Sequence, residues 1–295
     1  MPELPDVVVY VESLRARVVG RTLEQVRLNS PFVLRTAVPP LTEVTGKRVV
    51  AVRRIGKRIA LVLDDDLFVV LHLMIAGRLH WIESGGSGKS PRGTLATFQF
   101  AHGTLAFTEA GTRKRASLHI VRGDEAMAAF DMGGLEILDA DVESFRDRLL
   151  RENHTLKRAL TDPRLFSGIG NAYSDEILHR ARLSPIAQTH KLAPGDVLRL
   201  YASARSVLSE WTARLRDEAG SRFPTKVTAF RPQMAVHGRF NQPCPDCGAP
   251  VQRIVYAENE TNYCARCQTS GTILADRALS RLLKSSWPRS IDELG

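Results

Sequence analysis

The cysteines constrain this chain more than any other feature. All four, Cys244, Cys247, Cys264 and Cys267, fall in two CxxC pairs with 16 residues between them. At that spacing two tight turns can present four thiolates to one tetrahedral ion. The segments VQRIVY and TNYC between the pairs can close as a β-hairpin, which is too small to bury a core of its own. One structural Zn2+ held by the four cysteines is therefore expected, with every coordination position filled. Two redox dithiols are the competing reading, and the matched spacing on both sides favours metal. No cysteine is left over to act as a nucleophile.

The rest of the chain changes its period once. Over residues 6–19, Val7, Val8, Val11, Leu14 and Val18 recur at helical spacing and Gly20 closes the run, which predicts an N-terminal helix. From about 22 to 121 short β-rich runs follow (RVVAVRRI, RIALVL, LFVVLHL, LATFQF, TLAFT, ASLHIV), separated by turn residues, the pattern of a β-sandwich. The Gly- and Ser-rich stretch 83–93 reads as a mobile loop between strands. Beyond it, DVESFRDRLLR, LKRALTD, SGIGNAYSDEILHRARLSP and VLRLYASARSVLSEWTARLRDEA predict a helical second half. An irregular basic stretch past 222 then leads into the cysteines, and a short helical tail follows near 275–285. The expected fold class is α+β. At 295 residues the chain exceeds one ordinary domain, and the expected division is a β-sandwich domain at 1–125, a helical domain at 126–222, a linker and zinc ribbon at 223–274, and a tail at 275–295.

Lys and Arg number 41 against 32 for Asp and Glu, a formal charge of +9 and a pI near 9.7. A polyanionic partner fits that balance, as does a basic enzyme whose arginines only solvate its helices. No apolar run is long enough to span a bilayer, and MPELPDVVVYVESLRARVVG lacks the basic start and cleavage site of a signal peptide, so no membrane partner and a cytoplasmic location are expected.

Four landmarks, in order, carry a family resemblance: the start MPELPDV, GKR at 56–58, the helical GIGNAYSDEIL, and the terminal CPDCG…YCARCQ. Together they resemble the formamidopyrimidine-DNA glycosylase and endonuclease VIII family, of which this chain reads as a divergent member. The resemblance implies an N-terminal β-sandwich carrying a helix, a helical domain with a helix-two-turn-helix motif, and a zinc-ribbon hairpin. It also implies a monomeric base-excision-repair enzyme acting on damaged double-stranded DNA, nucleoid-associated by function, that is both N-glycosylase and abasic-site lyase.

The implied chemistry starts at Pro2. Trimming of Met1 would expose a secondary amine, and a terminal amine, with a pKa near ~8 against ~10.4 for lysine, offers far more neutral nucleophile at pH 7. Its attack on the sugar carbon bearing the lesion would expel the base and leave an iminium that permits strand cleavage by elimination. By resemblance Glu3 donates a proton to open the sugar ring, and Lys57 contacts phosphate and serves β-elimination. Asn171 would hold a phosphate at the helix start, and His72 would contact DNA.

Several positions depart from the family pattern. Where the family reads HLGMSG this chain has HLMIAG, so Ile75 takes the place of the methionine that fills the gap left by the flipped base. FTEAGTRKRASL offers Arg113, Lys114 and Arg115 with no aromatic wedge. Asn259 replaces the zinc-hairpin arginine that binds phosphate, and Asp6 replaces a glutamate. 8-Oxoguanine, ring-opened purines, oxidised pyrimidines and abasic sites are all candidate substrates. A non-catalytic damaged-DNA binding protein on the same scaffold is the alternative. A basic zinc-ribbon protein for RNA or single strands is a third reading, for which 6% aromatic residues offer little stacking material.

Overall fold

The computed structural model describes residues 1–295 except 86–89, 112, 226, 228–229, 257–258, 285–286 and 295; the side chains of 256, 259, 277–279 and 294 are also outside the described set. Two compact units emerge, Met1–Met132 with Trp211–Thr228, and Gly133–Glu210 with Ala229–Gly295.

The first unit opens with α1 (Leu4–Val18). Its start is fixed by Asp6, whose Oδ2 accepts the Glu3 backbone N–H at 3.0 Å, an acid in the first turn that also suits the helix dipole. The shorter acid at position 6 thus has a defined task. Nine strands follow: β1 (Thr22–Leu23), β2 (Gln25–Leu28), β3 (Lys47–Ile55), β4 (Arg58–Leu63), β5 (Leu67–His72), β6 (Gly77–Glu83), β7 (Thr94–Phe100), β8 (Gly103–Glu109) and β9 (Ser117–Arg122). They form two antiparallel sheets, ordered β1-β3-β4-β5-β9 and β2-β7-β8-β6. The stretch 83–93 joins β6 to β7, and its centre, 86–89, lies outside the described residues.

Strand β5 reads LFVVLH without polar alternation because both of its faces are covered. Leu67, Val69 and Leu71 enter the core shared by the two sheets and α1, whereas Phe68 and Val70 pack with Ala60, Val62, Val121 and Met127 of α2 (Asp124–Ala128) on the opposite face. Each such apolar side chain contributes ~1.5–3 kcal/mol on burial. Tyr10 fastens α1 to β6: its hydroxyl accepts the Leu79 N–H at 3.2 Å, and its ring lies 5.7 Å from that of Phe223.

In the second unit, α3 (Val142–Leu150) is capped by Asp141, which accepts the Ser144 N–H at 2.8 Å. α4 (Leu156–Thr161) and α5 (Asn171–Arg180) flank the turns that carry the GIG sequence, where Gly168 adopts φ +80°, open to glycine at little cost. The 26-residue α6 (Pro194–Ala219) passes from this unit into the first, dividing at Glu210/Trp211. The cysteine region forms β10 (Gln252–Tyr256), β11 (Asn259–Tyr263) and α7 (Ala265–Thr269). α8 (Arg277–Leu283) lies in the tail, and the tail returns to the ribbon: Leu274 and Ile291 join its core, and the Leu274 N–H donates to Tyr263 at 2.7 Å. No helix among the described residues is long and apolar enough to cross a membrane.

Candidate active site and zinc ribbon

Pro2 is buried at the mouth of α1, with Glu3 and Asp6 each 2% exposed beside it. The terminal ammonium, carried here by Met1, has its pKa lowered chiefly by burial; Glu3 and Asp6 pull it up, Arg78 and Lys57 push it down. Those four charges therefore act on the Met1 ammonium, one residue from Pro2. Lys57 stands on the tight β3–β4 turn, where Gly56 takes φ +56°. Arg78 carries no mark in the sequence. It is the second residue of β6, and its Nη1 donates to the carbonyls of Gly77 (2.6 Å) and Ile75 (3.2 Å), bracing the turn after β5. Nothing in HLMIAGR sets this arginine apart, because its nearness to the terminus arises only when β6 pairs in the sheet.

Ile75 sits on that turn, 55% exposed. The turn requires glycine at its exit: Gly77 N–H bonds to Leu73 O at 2.8 Å, and a Cβ on Gly77 would collide with that carbonyl. The β8–β9 connection is tied by Glu109, 1% exposed, whose carboxylate accepts the N–H groups of Arg115 and Ala116 at 2.9–3.2 Å, leaving Arg113 and Arg115 exposed.

His72 ends β5 opposite Arg58. Burial, then the cations Arg58 and Lys57 and the neighbouring His119, push its pKa down to about 4. His72 is thus neutral at pH 7 and can meet DNA only as a hydrogen-bonding group. Because the folded state resists a proton that the unfolded chain accepts near the ordinary value of 6.5, stability should fall as pH drops from about 6.5 to about 4 and level off below. Denaturant unfolding across that range, with His72→Phe flattening the slope, checks this; an NMR midpoint near 6.5 for His72 would contradict it.

In the second unit one face of α5 looks onto the ribbon. Asn171, Asp175 and His179 stand at i, i+4 and i+8. Asn171 Nδ2 donates to Glu260 O of β11 at 2.8 Å, Asp175 Oδ2 meets His237 Nδ1 at 2.7 Å, and His179 Nε2 lies 3.3 Å from Cys244 Sγ. Asn259 opens the backbone of β11, and its side chain is outside the described set. Lys157 Nζ reaches both Asp175 Oδ1 (2.5 Å) and Asn171 O (2.7 Å). Glu176 accepts the N–H groups of Ala235, Val236 and His237 at 2.7, 2.9 and 3.0 Å. Asp175 and Glu176 are braces. Glu176→Ala should strand three N–H donors and cost about 3 kcal/mol or more, read as lost stability and lost hydrogen-exchange protection at 235–237; unchanged protection there would refute the brace.

The four sulfurs converge within 4.8 Å of one another, with Cys244–Cys267 at 3.9 Å and Cys247–Cys264 at 3.4 Å. A ZnS4 tetrahedron with ~2.3 Å bonds needs sulfurs about 3.8 Å apart, so the donor set fits the ion.

Family models for the formamidopyrimidine-DNA glycosylase N-terminal domain, its H2TH domain, and the zinc finger found in FPG and IleRS match residues 1–117, 135–222 and 241–269. Formamidopyrimidine-DNA glycosylase of Heliobacterium modesticaldum is 33% identical over 283 residues, covering 91% of this chain and all of the relative. The Lactococcus lactis enzyme bound to Fapy-dG-containing DNA is 25% identical with a TM-score of 0.79, over 90% of this chain and 100% of the other. Its complex with abasic-site DNA is 25% identical with a TM-score of 0.77, over 90% and 99%. Fold and matches together define a DNA glycosylase of base excision repair. The chain belongs to the formamidopyrimidine-DNA glycosylase and endonuclease VIII family.

Proposed function

We propose that this protein, as a cytoplasmic monomer, excises oxidised or ring-opened bases from duplex DNA through a Schiff base on Pro2 and then cleaves the strand as an abasic-site lyase. The observation that carries the reading is the buried start of α1: Pro2 is buried with Glu3 and Asp6 each 2% exposed beside it, and the adjoining Met1 ammonium has its pKa lowered chiefly by burial while feeling Glu3, Asp6, Arg78 and Lys57. Pro2 nitrogen bonds to C1′ as the C1′–base bond breaks; the base leaves with that electron pair and takes up the proton that the Pro2 nitrogen gives up. Glu3 protonates the ring oxygen as the sugar opens to the iminium. Loss of a C2′ proton then expels the 3′-phosphate, with Lys57 beside the phosphate. Asn259 supplies no permanent cation, so scission stops at β-elimination.

Asn171 and neutral His72 contact the backbone, and Ile75, exposed on its braced turn, fills the space of the extruded nucleotide. One zinc ion on Cys244, Cys247, Cys264 and Cys267 supplies no chemistry to the sugar; it orders the hairpin that carries Asn259. A net charge of +9 supports salt-sensitive binding.

The test is borohydride trapping on duplexes carrying Fapy-dG, 8-oxoguanine, an oxidised pyrimidine or an abasic site. Chain trimmed to Pro2 is compared with chain whose Met1 is retained. A covalent adduct confined to the trimmed chain and dependent on the lesion is expected. Equal trapping by both forms would remove Pro2 as nucleophile, and binding without any adduct would leave the non-catalytic reading.

A further inference from the structure

His179 takes no part in the chemistry above, yet it is buried to 3% exposure with Nε2 3.3 Å from Cys244 Sγ. The same nitrogen lies 4.0 Å from Asp246 Oδ2, outside hydrogen-bond reach, so the sulfur is its partner. Four thiolates around one dication carry a double negative charge, and sulfurs buried with that charge need donors. Cys264 has a backbone donor, the Cys267 N–H at 3.5 Å. Cys244 is 2% exposed and receives the imidazole.

We propose that His179 is a positioning residue of the zinc centre, donating its Nε2–H to Cys244 Sγ and thereby linking α5 to the metal. The inference rests on the zinc reading given above. It makes α5 a strut with both ends engaged in the ribbon: Asn171 holds the β11 backbone at one end and His179 a metal ligand at the other, two turns further along. Gln268 adds a parallel tie at the third cysteine, accepting the Cys264 N–H at 2.8 Å and donating to Leu183 O at 2.9 Å. Loss of the imidazole donor loosens the thiolate it serves and with it the grip of the ribbon on the helix that starts at Asn171.

Metal analysis of the purified full-length chain comes first, because it judges the zinc reading alone: one zinc per chain is expected, and a metal-free chain overturns both readings. With zinc present, nitrogen NMR of the loaded chain should show His179 as the Nε2–H tautomer; a bare Nε2 overturns the proposal without any substitution. His179→Phe keeps a ring of similar shape and removes the donor. It should weaken zinc retention against a chromogenic chelator by about 10–100-fold and shift the thiolate-to-metal charge-transfer bands of the cobalt(II)-substituted chain. His179→Gln, which retains an N–H, should recover most of both. Unaltered zinc retention and cobalt spectrum in His179→Phe would sink the proposal, as would a Gln variant no better than Phe. Should the Phe variant not fold, the tautomer and the Gln variant still decide.

Discussion

Replacing Glu3 with glutamine is expected to slow excision of a damaged base by about a hundred- to ten-thousand-fold, the usual contribution of a positioned acid. Trapping on a preformed abasic site should be far less affected. The asymmetry follows from the division of labour at the start of α1. In the proposed mechanism bond formation belongs to Pro2 nitrogen, whereas Glu3 delivers the proton that lets the sugar open. The substitution is structurally mild because glutamine keeps a side-chain oxygen that can accept the Asp6 backbone N–H, while Asp6 still accepts the N–H of residue 3. Single-turnover excision on a lesion duplex, run beside borohydride trapping on an abasic duplex, reads the two steps separately. Parallel loss in both assays would mean that Glu3 shapes the site and does not supply the proton.

Stripping the metal, by chelator or by Cys264→Ser, should have the other large effect: loss of the ribbon fold and with it much of the affinity for duplex DNA. The ribbon core is a short set of side chains packed around the cysteines, Val236, Val251, Tyr263, Leu274 and Ile291 among them, and structural zinc in such modules supplies roughly 10 kcal/mol or more of folding free energy. The β-sandwich has its own apolar core, so its hydrogen-exchange protection should survive while that of β10 and β11 disappears. Affinity should drop at least about tenfold, and the slope of log K against log salt should shrink by about one for each phosphate the protein no longer neutralises. A metal-free chain that keeps its hairpin amides protected would remove zinc from the structural account.

The features legible in the sequence are those written as a period or a spacing. Val7, Val11, Leu14 and Val18 mark α1 because one face of a helix must be apolar, and the cysteine pairs mark the ribbon because four sulfurs that converge on one point require that spacing. The β-rich runs mark β3, β4, β5, β7, β8 and β9. Strand β6, GRLHWIE, is far less visible, since only its alternate residues enter the core and the others are polar or amphipathic. Arg78 and His179 are illegible for a different reason. His179 meets Cys244 across 65 positions of chain, and Arg78 comes near the terminus only through strand pairing, so neither leaves a local pattern. For His179 a faint signal exists in the i, i+4, i+8 run with Asn171 and Asp175, but a polar stripe on a helix usually faces solvent. The sequence points Asn171 at phosphate, and the fold adds that its amide also grips the hairpin backbone, an arrangement that depends on where β11 lands.

The return of Leu274 and Ile291 to the ribbon has a practical consequence for anyone shortening this protein. The recognisable finger motif ends at 269, yet two of the side chains that fill its interior come from beyond that border. A fragment cut at the motif boundary would lose both of those side chains, so any shortened version has to run past Ile291, and a fusion partner joined at 270 would sit where Leu274 and Ile291 pack.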